Sequence, residues 1–180
     1  AQVDYLITHK DPTIIRDYYY DIADPNIKNI YENDLTKSLV RGKEILDQSI
    51  LEKEVKRIND LMKDNGYYKF NSSNEEIYFT ADTLQSRKLV PLTLEIQRDS
   101  LDSPYKITTI GDIKIHLLEK IADTANTKRD SLLGINIYKI DDQYSTMSLW
   151  RPVILKKGDI YQQKNLDLTK RNFASMNNFS

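Results

Sequence analysis

The chain has 180 residues, of which 39% are hydrophobic, and its mean hydropathy is −0.59. Its 26 basic and 27 acidic residues are interspersed and leave a formal net charge of −1, which excludes the basic stripe of a nucleic-acid-binding protein and a polybasic patch for anionic lipids. The absence of cysteine excludes disulfides and thiolate sites, and no apolar run approaches the ~18 residues that cross a bilayer.

The length fits one ordinary domain or two small ones. Low hydrophobic content favours two thin, two-layer modules, because small units expose more surface per residue. The sequence begins at Ala1-Gln2 without a visible signal peptide, so we expect it to be an internal piece of a longer protein.

The first third of the chain predicts strands and short helices in turn. Apolar and polar residues alternate over residues 2–8, which predicts a strand that ends at a turn, and residues 13–22 predict a second strand. Asp24-Pro25-Asn26 begins a short helix through Asn33. A second short helical piece follows and ends at Gly42.

A long amphipathic helix is predicted at about residues 50–64. Its apolar side chains recur at helical spacing and share one face: Leu51, Val55, Ile58 and Met62. Ser49 and Glu52 form a capping-box pattern at its start, and Asn65-Gly66 supplies the residue with positive φ that ends it. Glu52, Lys56 and Asp60 alternate in charge at four-residue spacing, as on a solvated helix face.

Two strands follow the helix. Ile77, Phe79 and Ala81 alternate with Tyr78 and Thr80, which predicts a half-buried strand. Residues 88–98 predict the next strand, with these side chains on one face: Val90, Leu92, Leu94 and Ile96. Pro91 lacks a ladder donor, so we expect it at the beginning of that strand or at a bulge.

In this order, the elements resemble the periplasmic POTRA repeats of outer-membrane β-barrel assembly proteins (BamA-like and TamA-like), in the form typical of Bacteroidetes. The residues that carry the resemblance are Gly42, Arg57, Ile58, Gly66-Tyr67-Tyr68, Phe70, Ile77, Phe79, Ala81-Asp82-Thr83 and the opening run Thr13–Asp24. The resemblance implies an α+β fold of tandem β-α-α-β-β modules, each with two helices packed on a three-stranded mixed sheet. Residues 1–10 would then be the last strand of a preceding repeat, and residues 11–100 a complete one.

A weak internal repeat predicts a second unit at residues 101–180. Thr13–Tyr18 resembles Tyr105–Ile110, and Gly42 matches Gly158, so about 24 residues are inserted between the first strand and the helices. We expect a β-hairpin at about 133–150 in this insertion, then helical residues at 153–179. The chain stops where Gly66 stood in the first unit, so this repeat is predicted to be truncated and to lack its last two strands.

The residues offer little for catalysis. His9 and His116 lie far apart in polar settings without a second ligand or an orienting carboxylate at useful spacing. Glycine-rich phosphate loops, a nucleophile elbow and an Asp-rich calcium loop are all missing from the sequence. We therefore expect no enzyme activity, and no catalytic, cofactor or metal site.

The remaining candidate is a backbone site. The resemblance places the strand Ile77, Tyr78, Phe79, Thr80 and Ala81 at the edge of the sheet, where an extended chain can be added. It implies a periplasmic arm that precedes an outer-membrane β-barrel of the same chain and binds unfolded outer-membrane proteins and accessory subunits, without a nucleic-acid or small-molecule partner. Proline at Thr80 is expected to block such strand addition while leaving the packed face intact.

Two other classes stay open. A stand-alone α+β peptide-binding adaptor would lack repeats upstream and a barrel downstream in the parent sequence. A small enzyme built from scattered carboxylates and tyrosines would show a deep pocket with convergent titratable groups. The sequence does not separate an assembly factor from a translocation relative.

Overall fold

The computed structural model describes residues 11–70, 77–97, 105–117, 127–140 and 144–176, so the predicted strand at residues 2–8 lies outside the described part. The elements in chain order are β1 (Ile14–Ile22), α1 (Pro25–Asn33), a 3₁₀ turn (Leu35–Lys37), α2 (Gln48–Asp64), β2 (Ile77–Ala81), β3 (Leu89–Ile96), β4 (Ile113–Leu117), β5 (Lys128–Leu132), β6 (Ile135–Lys139), α3 (Thr146–Trp150) and α4 (Gln163–Ser175). Two compact units result: residues 1–59 with 71–104, and residues 60–70 with 105–180.

The first unit is built on a three-stranded mixed sheet in the order β1-β3-β2. The central strand β3 runs parallel to β1 and antiparallel to β2. With α1 and α2 between β1 and β2 in sequence, the unit has the predicted β-α-α-β-β order, and the α+β fold class is confirmed.

Alternation along β3 places one row of side chains in the core, as predicted. Four of them are at most 2% exposed: Val90, Leu92, Leu94 and Ile96. Leu92 packs in a cluster with Ile15 and Val40, on which Leu51 of α2 also lies. Burying each large aliphatic side chain stabilises the fold by about 1.5–3 kcal/mol.

Helix α2 begins earlier than predicted, and the capping box proposed for its start is wrong. The backbone N–H of Ser49 donates to Asp47 Oδ1 at 2.7 Å, so Asp47 and not Ser49 supplies the capping oxygen. Ile58 and Met62 are fully buried, while Leu51 and Val55 are partly buried. The solvated face at Glu52, Lys56 and Asp60 is exposed as predicted.

Pro91 meets both of the predicted conditions. It lies near the start of β3, beyond the last β2 pair, Ala81 with Leu92. Opposite it, β1 has a register shift between Ile15 and Tyr18, so no β1 residue pairs with Pro91. Pro91 O accepts from the N–H of Asp82, so the missing N–H of Pro91 costs the sheet the return bond of that pair, at the end of the β2 ladder.

The second unit has a sheet of the same design, in the order β4-β6-β5. Strand β6 runs parallel to β4 and antiparallel to β5, as β3 does to β1 and β2. Here, however, all three strands precede both helices in sequence. The three strands therefore correspond to the predicted first strand and inserted hairpin, and the predicted lack of two further strands after the helices stays a prediction.

The hairpin predicted at about 133–150 is wrong in position. Strands β5 and β6 form the hairpin over residues 128–139, and its turn is Leu133-Gly134, at φ 48° and 85°. Two consecutive positive φ values are what a two-residue hairpin turn of type I′ requires, although leucine is unusual there. Residues 146–150 form helix α3, because Ser145 Oγ accepts from the N–H of Ser148 and caps it.

A short ribbon joins the start of β1 to the segment before α2. The N–H of Leu46 donates to Thr13 O (2.8 Å), and that of Ile15 to Glu44 O (2.8 Å). The carbonyl oxygen of Ile15 in turn accepts from the N–H of Lys43 at 2.6 Å. We call residues 12–15 and 43–46 the Ile45 ribbon.

The same three hydrogen bonds recur in the second unit. Tyr161 N–H donates to Thr108 O (2.9 Å), Ile110 N–H to Asp159 O (2.8 Å) and Gly158 N–H to Ile110 O (2.8 Å). We call residues 107–110 and 158–161 the Ile160 ribbon.

The two ribbons correct the predicted alignment of the internal repeat. Thr108, three residues beyond Tyr105, takes the place of Thr13. Gly158 takes the place of Lys43 and not of Gly42, and both lie in the left-handed region, at φ 89° and 70°. The division into repeats at residues 11–100 and 101–180 stays a proposal, now with hydrogen bonds that match between its halves.

Candidate functional site: an uncharged sheet edge

The candidate strand β2 lies at the edge of its sheet. Strand β3 pairs with one side of it, over Ile77–Ala81, and within the described residues no strand or isolated bridge pairs with the other side. An edge strand presents unpaired backbone N–H and C=O groups to any extended chain that approaches.

Register decides which backbone groups these are. Asp82 N–H donates to Pro91 O at 3.2 Å, so that pair is hydrogen-bonded. Hydrogen-bonded and non-hydrogen-bonded pairs alternate along an antiparallel ladder. The backbones of Thr80 and Tyr78 therefore face β3, while those of Ile77, Phe79 and Ala81 face the open side.

The proline experiment predicted for Thr80 is therefore wrong in its position. Thr80 N–H belongs to the β3 ladder, so proline there would remove a bond inside the sheet and leave the outer donors untouched. The alternation of apolar and polar residues identifies the face of the sheet on which a side chain lies. It does not show toward which side of the strand the backbone N–H and C=O of that residue point. Ala81 is the suitable position, because its N–H faces outward and its side chain is small.

The side chains of β2 divide as predicted. Ile77 is buried and Phe79 is partly buried, with its ring 6.5 Å from that of Tyr18 between centroids. Tyr78 and Thr80 are exposed on the opposite face, where Thr80 Oγ1 donates to Glu95 Oε1 at 2.6 Å. Desolvation by neighbouring groups raises the pKa of the Tyr78 hydroxyl, and the charge of Glu95 adds to the rise.

The edge strand of the second sheet offers a contrast. Strand β5 reads Lys-Arg-Asp-Ser-Leu, and its first three side chains are exposed. Charged residues, lysine above all, are a common protection of sheet edges against the addition of further strands. Strand β2 reads Ile-Tyr-Phe-Thr-Ala and carries no such protection.

The histidines do not form a site in the described part of the chain. His9 lies outside it, and His116 stacks on Tyr138 with ring centroids 4.5 Å apart and an interplanar angle of 7°. Among the described residues, no group of three or more histidine, aspartate or glutamate side chains is arranged to hold a metal ion. No helix in those ranges is both long and apolar enough to cross a membrane.

Sequence reasoning missed a buried carboxylate in α2. Glu54 is fully buried and accepts hydrogen bonds from Ser38 Oγ (3.0 Å), Leu39 N–H (2.9 Å) and both Nε and Nη2 of Arg57 (2.9 and 2.8 Å). Arg57 also pairs with Asp34. Burial acts to raise the pKa of Glu54, but the hydrogen bonds from Arg57, Leu39 and Ser38 outweigh it and hold the pKa below its usual value.

Thr169 occupies the matching place in the second unit. The N–H of Ile154 donates to Thr169 Oγ1 (3.2 Å), and that hydroxyl donates to Asn165 O (2.8 Å). Thr169 is 7% exposed. Glu54 and Thr169 each hold the segment that leads into its ribbon by a hydrogen bond from a backbone N–H, so their role is structural. In the sequence, a polar residue on an otherwise apolar helix face was the signal that could have identified each of them.

No protein-family model matches the chain, and no curated protein matches it in sequence. Among solved structures, the crystal structure of POTRA repeats 3–5 of BamA from Haemophilus influenzae superimposes with a TM-score of 0.51 at 9% identity, over 93% of this chain and 52% of that one. This chain therefore spans about half the length of that structure.

Two other solved structures match with a TM-score of 0.30, too low to support an argument. They are the N-terminal domain of Omp85 from Thermosynechococcus elongatus, at 6% identity over 94% of this chain and 88% of that one, and POTRA repeats 1–3 of Omp85 from Anabaena, at 13% identity over 92% and 56%. The β-α-α-β-β order, the mixed sheet and the BamA superposition agree. The chain therefore has the fold of POTRA repeats.

Proposed function

We propose that this chain is part of the periplasmic arm of an outer-membrane protein assembly or translocation factor, and that β2 binds unfolded client chains by strand addition. The observation that carries the proposal is the uncharged edge at Ile77–Ala81, whose outward backbone groups lie on a packed strand. The POTRA fold supports it, since the BamA structure that resembles this chain consists of such repeats.

The chemistry of this site is that of the backbone alone. Each of Ile77, Phe79 and Ala81 offers one donor and one acceptor to an added strand. A backbone hydrogen bond contributes about 0.5–1.5 kcal/mol net, whereas association costs about 4–15 kcal/mol. Four or five such bonds give a millimolar rather than a nanomolar dissociation constant, which suits a chain that must be passed onward.

The wider assignment follows from the same proposal. The arm would precede a C-terminal outer-membrane β-barrel of the same protein, and its other surfaces would bind accessory subunits. It would act without a cofactor or a small-molecule substrate, because strand addition requires neither. On this account the chain is not an enzyme.

The experiment compares two substitutions at one position. Ala81→Pro removes an outward donor while leaving the β3 ladder intact, and Ala81→Val keeps that donor in a residue suited to strands. A photo-crosslinker at Tyr78 then reports capture of an unfolded outer-membrane protein. We expect Ala81→Pro to reduce crosslinking several-fold and Ala81→Val to leave it unchanged, both with a folded circular dichroism spectrum. Equal crosslinking in the two folded variants would overturn the edge mechanism.

A further inference from the structure

The outer face of the first sheet carries a row of three polar side chains that reaches the β2 edge. Asp21 of β1 pairs with Glu95 of β3, and Glu95 pairs with Tyr78 of β2. Alternation places these side chains on the face opposite the core, in which the neighbouring Leu94 and Ile96 are buried. We call Asp21, Glu95 and Tyr78 the acidic row.

The acidic row carries two carboxylates that no basic side chain neutralises. Asp21 and Glu95 stand directly opposite each other, a position in which like charges destabilise a sheet. Glu95 accepts from Thr80 Oγ1 (2.6 Å) and Gln97 Nε2 (3.2 Å), which are neutral donors. Neither carboxylate forms an ion pair with a lysine or arginine among the described residues. A cation placed beside the row would therefore relieve its repulsion.

Tyr78 is the member of the row that lies next to the open edge. Its side chain is 37% exposed, and the raised pKa of its hydroxyl keeps the ring a neutral phenol, whose face attracts cations. Because the backbone of Tyr78 bonds to β3, a residue added opposite Tyr78 in an antiparallel strand would form a non-hydrogen-bonded pair with it. Side chains are closest in such pairs, whose Cα atoms are about 4.5 Å apart.

The corresponding row of the second sheet has a basic residue at its edge and no carboxylate. His116 of β4 pairs with Tyr138 of β6, and Tyr138 pairs with Arg129 of β5. Arg129, at the edge position that Tyr78 has in the first sheet, donates to Asn136 Oδ1 (3.0 Å) and forms no ion pair within the described ranges. A cationic side chain would be repelled beside β5 and attracted beside β2.

We infer that β2 preferentially binds client strands that carry lysine or arginine at the position opposite Tyr78. The alkyl stem of that side chain would lie on the Tyr78 ring, and its cationic head would extend toward Glu95, whose strand is about 9.5 Å, or two strand spacings, from the added one. The client residues on either side would be apolar, because they lie on the packed face with Ile77 and Phe79. This inference rests on the proposed strand addition at β2 and specifies the class of strand that is bound.

Three short peptides that differ at a single residue test the inference. Each is acetylated and amidated and has the pattern Thr-Val-Thr-Val-X-Val-Thr-Val-Thr, in which X is lysine, glutamine or glutamate. NMR titrations to a few millimolar give the dissociation constants from the amide signals of Phe79 and Ala81, in wild type, Glu95→Gln and Glu52→Gln. Glutamine at 95 retains an acceptor for Thr80, and Glu52 is an exposed carboxylate of α2, so Glu52→Gln is a control with the same net charge.

We expect the lysine peptide to bind at least about threefold more tightly than the glutamine peptide and about tenfold more tightly than the glutamate peptide. Glu95→Gln should lower the ratio between the lysine and glutamate peptides at least about threefold, and Glu52→Gln should leave that ratio unchanged. Equal binding of the three peptides, or an unchanged ratio in Glu95→Gln, would overturn the inference and leave strand addition at β2 in place. If none of the peptides shifts the signals of Phe79 and Ala81, strand addition itself is wrong and the inference with it.

Discussion

The two units fix the same point of the chain by different chemistry. In the first, the backbone N–H of Leu39 donates to the carboxylate of Glu54, which Arg57 neutralises. In the second, the N–H of Ile154 donates to the hydroxyl of Thr169. Each acceptor lies on the helix that follows the ribbon and is at most 7% exposed.

The difference shows that the architecture requires a buried acceptor at this place and leaves open whether it carries charge. A neutral hydroxyl has a low desolvation cost and satisfies one donor. A carboxylate satisfies several donors, but it is costly to bury unless a cation accompanies it, as Arg57 does here. The first unit should therefore depend more strongly on its acceptor than the second.

The largest effect should come from Glu54→Gln. The substitution keeps the shape but leaves Arg57 without one of its two counter-charges, and removing one partner of a buried ion pair costs about 3–5 kcal/mol. We expect a loss near 3 kcal/mol, because Asp34 still neutralises part of the Arg57 charge. Urea unfolding followed by NMR signals of the first unit measures it. A loss below about 1 kcal/mol would contradict the ion-pair account.

Acid should remove the same stabilisation. Since the pKa of folded Glu54 lies below its ordinary value of 4.5, its contribution is complete above that pH and is lost as the pH falls through the folded pKa. The difference in unfolding free energy between wild type and Glu54→Gln should therefore shrink below about pH 4.5. Comparing the two chains cancels the titration of every other carboxylate. A difference that stays constant from pH 7 to pH 3 would show that the charge of Glu54 is not what stabilises the unit.

Thr169→Val should have a smaller effect in the second unit. Valine has the shape of threonine but leaves the N–H of Ile154 without its acceptor, which costs about 1–3 kcal/mol. Trp150 packs on the core of this unit, so its fluorescence reports the transition. If Thr169→Val proves as costly as Glu54→Gln, the contrast between the two acceptors is wrong.

The smallest effects should appear at the ribbon turns. Lys43 adopts φ 70° at the place where the second unit has Gly158 at φ 89°. A left-handed conformation costs a non-glycine residue about 1–2 kcal/mol, partly offset by the greater freedom of glycine in the unfolded chain. We therefore expect Lys43→Gly to stabilise the chain by about 0.5 kcal/mol and Gly158→Ala to destabilise it by about 1 kcal/mol in thermal unfolding. Effects of the same sign at both positions would argue against the equivalence of the ribbons.

Most of the fold of the first unit could be predicted from the spacing of apolar residues in its sequence. The apolar rows of β2 and β3, the length of α2 and the positive φ of Gly66 all follow from local pattern and turn chemistry. The position of the hairpin in the second unit could not be predicted in this way, because Leu133-Gly134 is an atypical turn and residues 144–150 alternate like a strand. Ser145, as a capping residue, was the local signal for a helix there.

The candidate site was predictable only in part. Its strand and its exposed face followed from alternation, but the direction of each backbone group depends on the register with β3, a non-local property. The role of Glu54 could not be predicted for a similar reason, since its partners Ser38 and Leu39 lie in a separate loop. Sequence spacing shows which residues share an element, and not which distant donors they meet.

The central claim is that β2 accepts extended chains through the backbone of Ile77, Phe79 and Ala81. Residue-resolved amide hydrogen exchange tests it most directly, without and with an unfolded outer-membrane protein segment at millimolar concentration. The account predicts that Tyr78 and Thr80 are protected in both states because they bond to β3, while Phe79 and Ala81 exchange rapidly alone and become protected when the segment is added. Unchanged exchange at Phe79 and Ala81, or protection of both before addition, would contradict it.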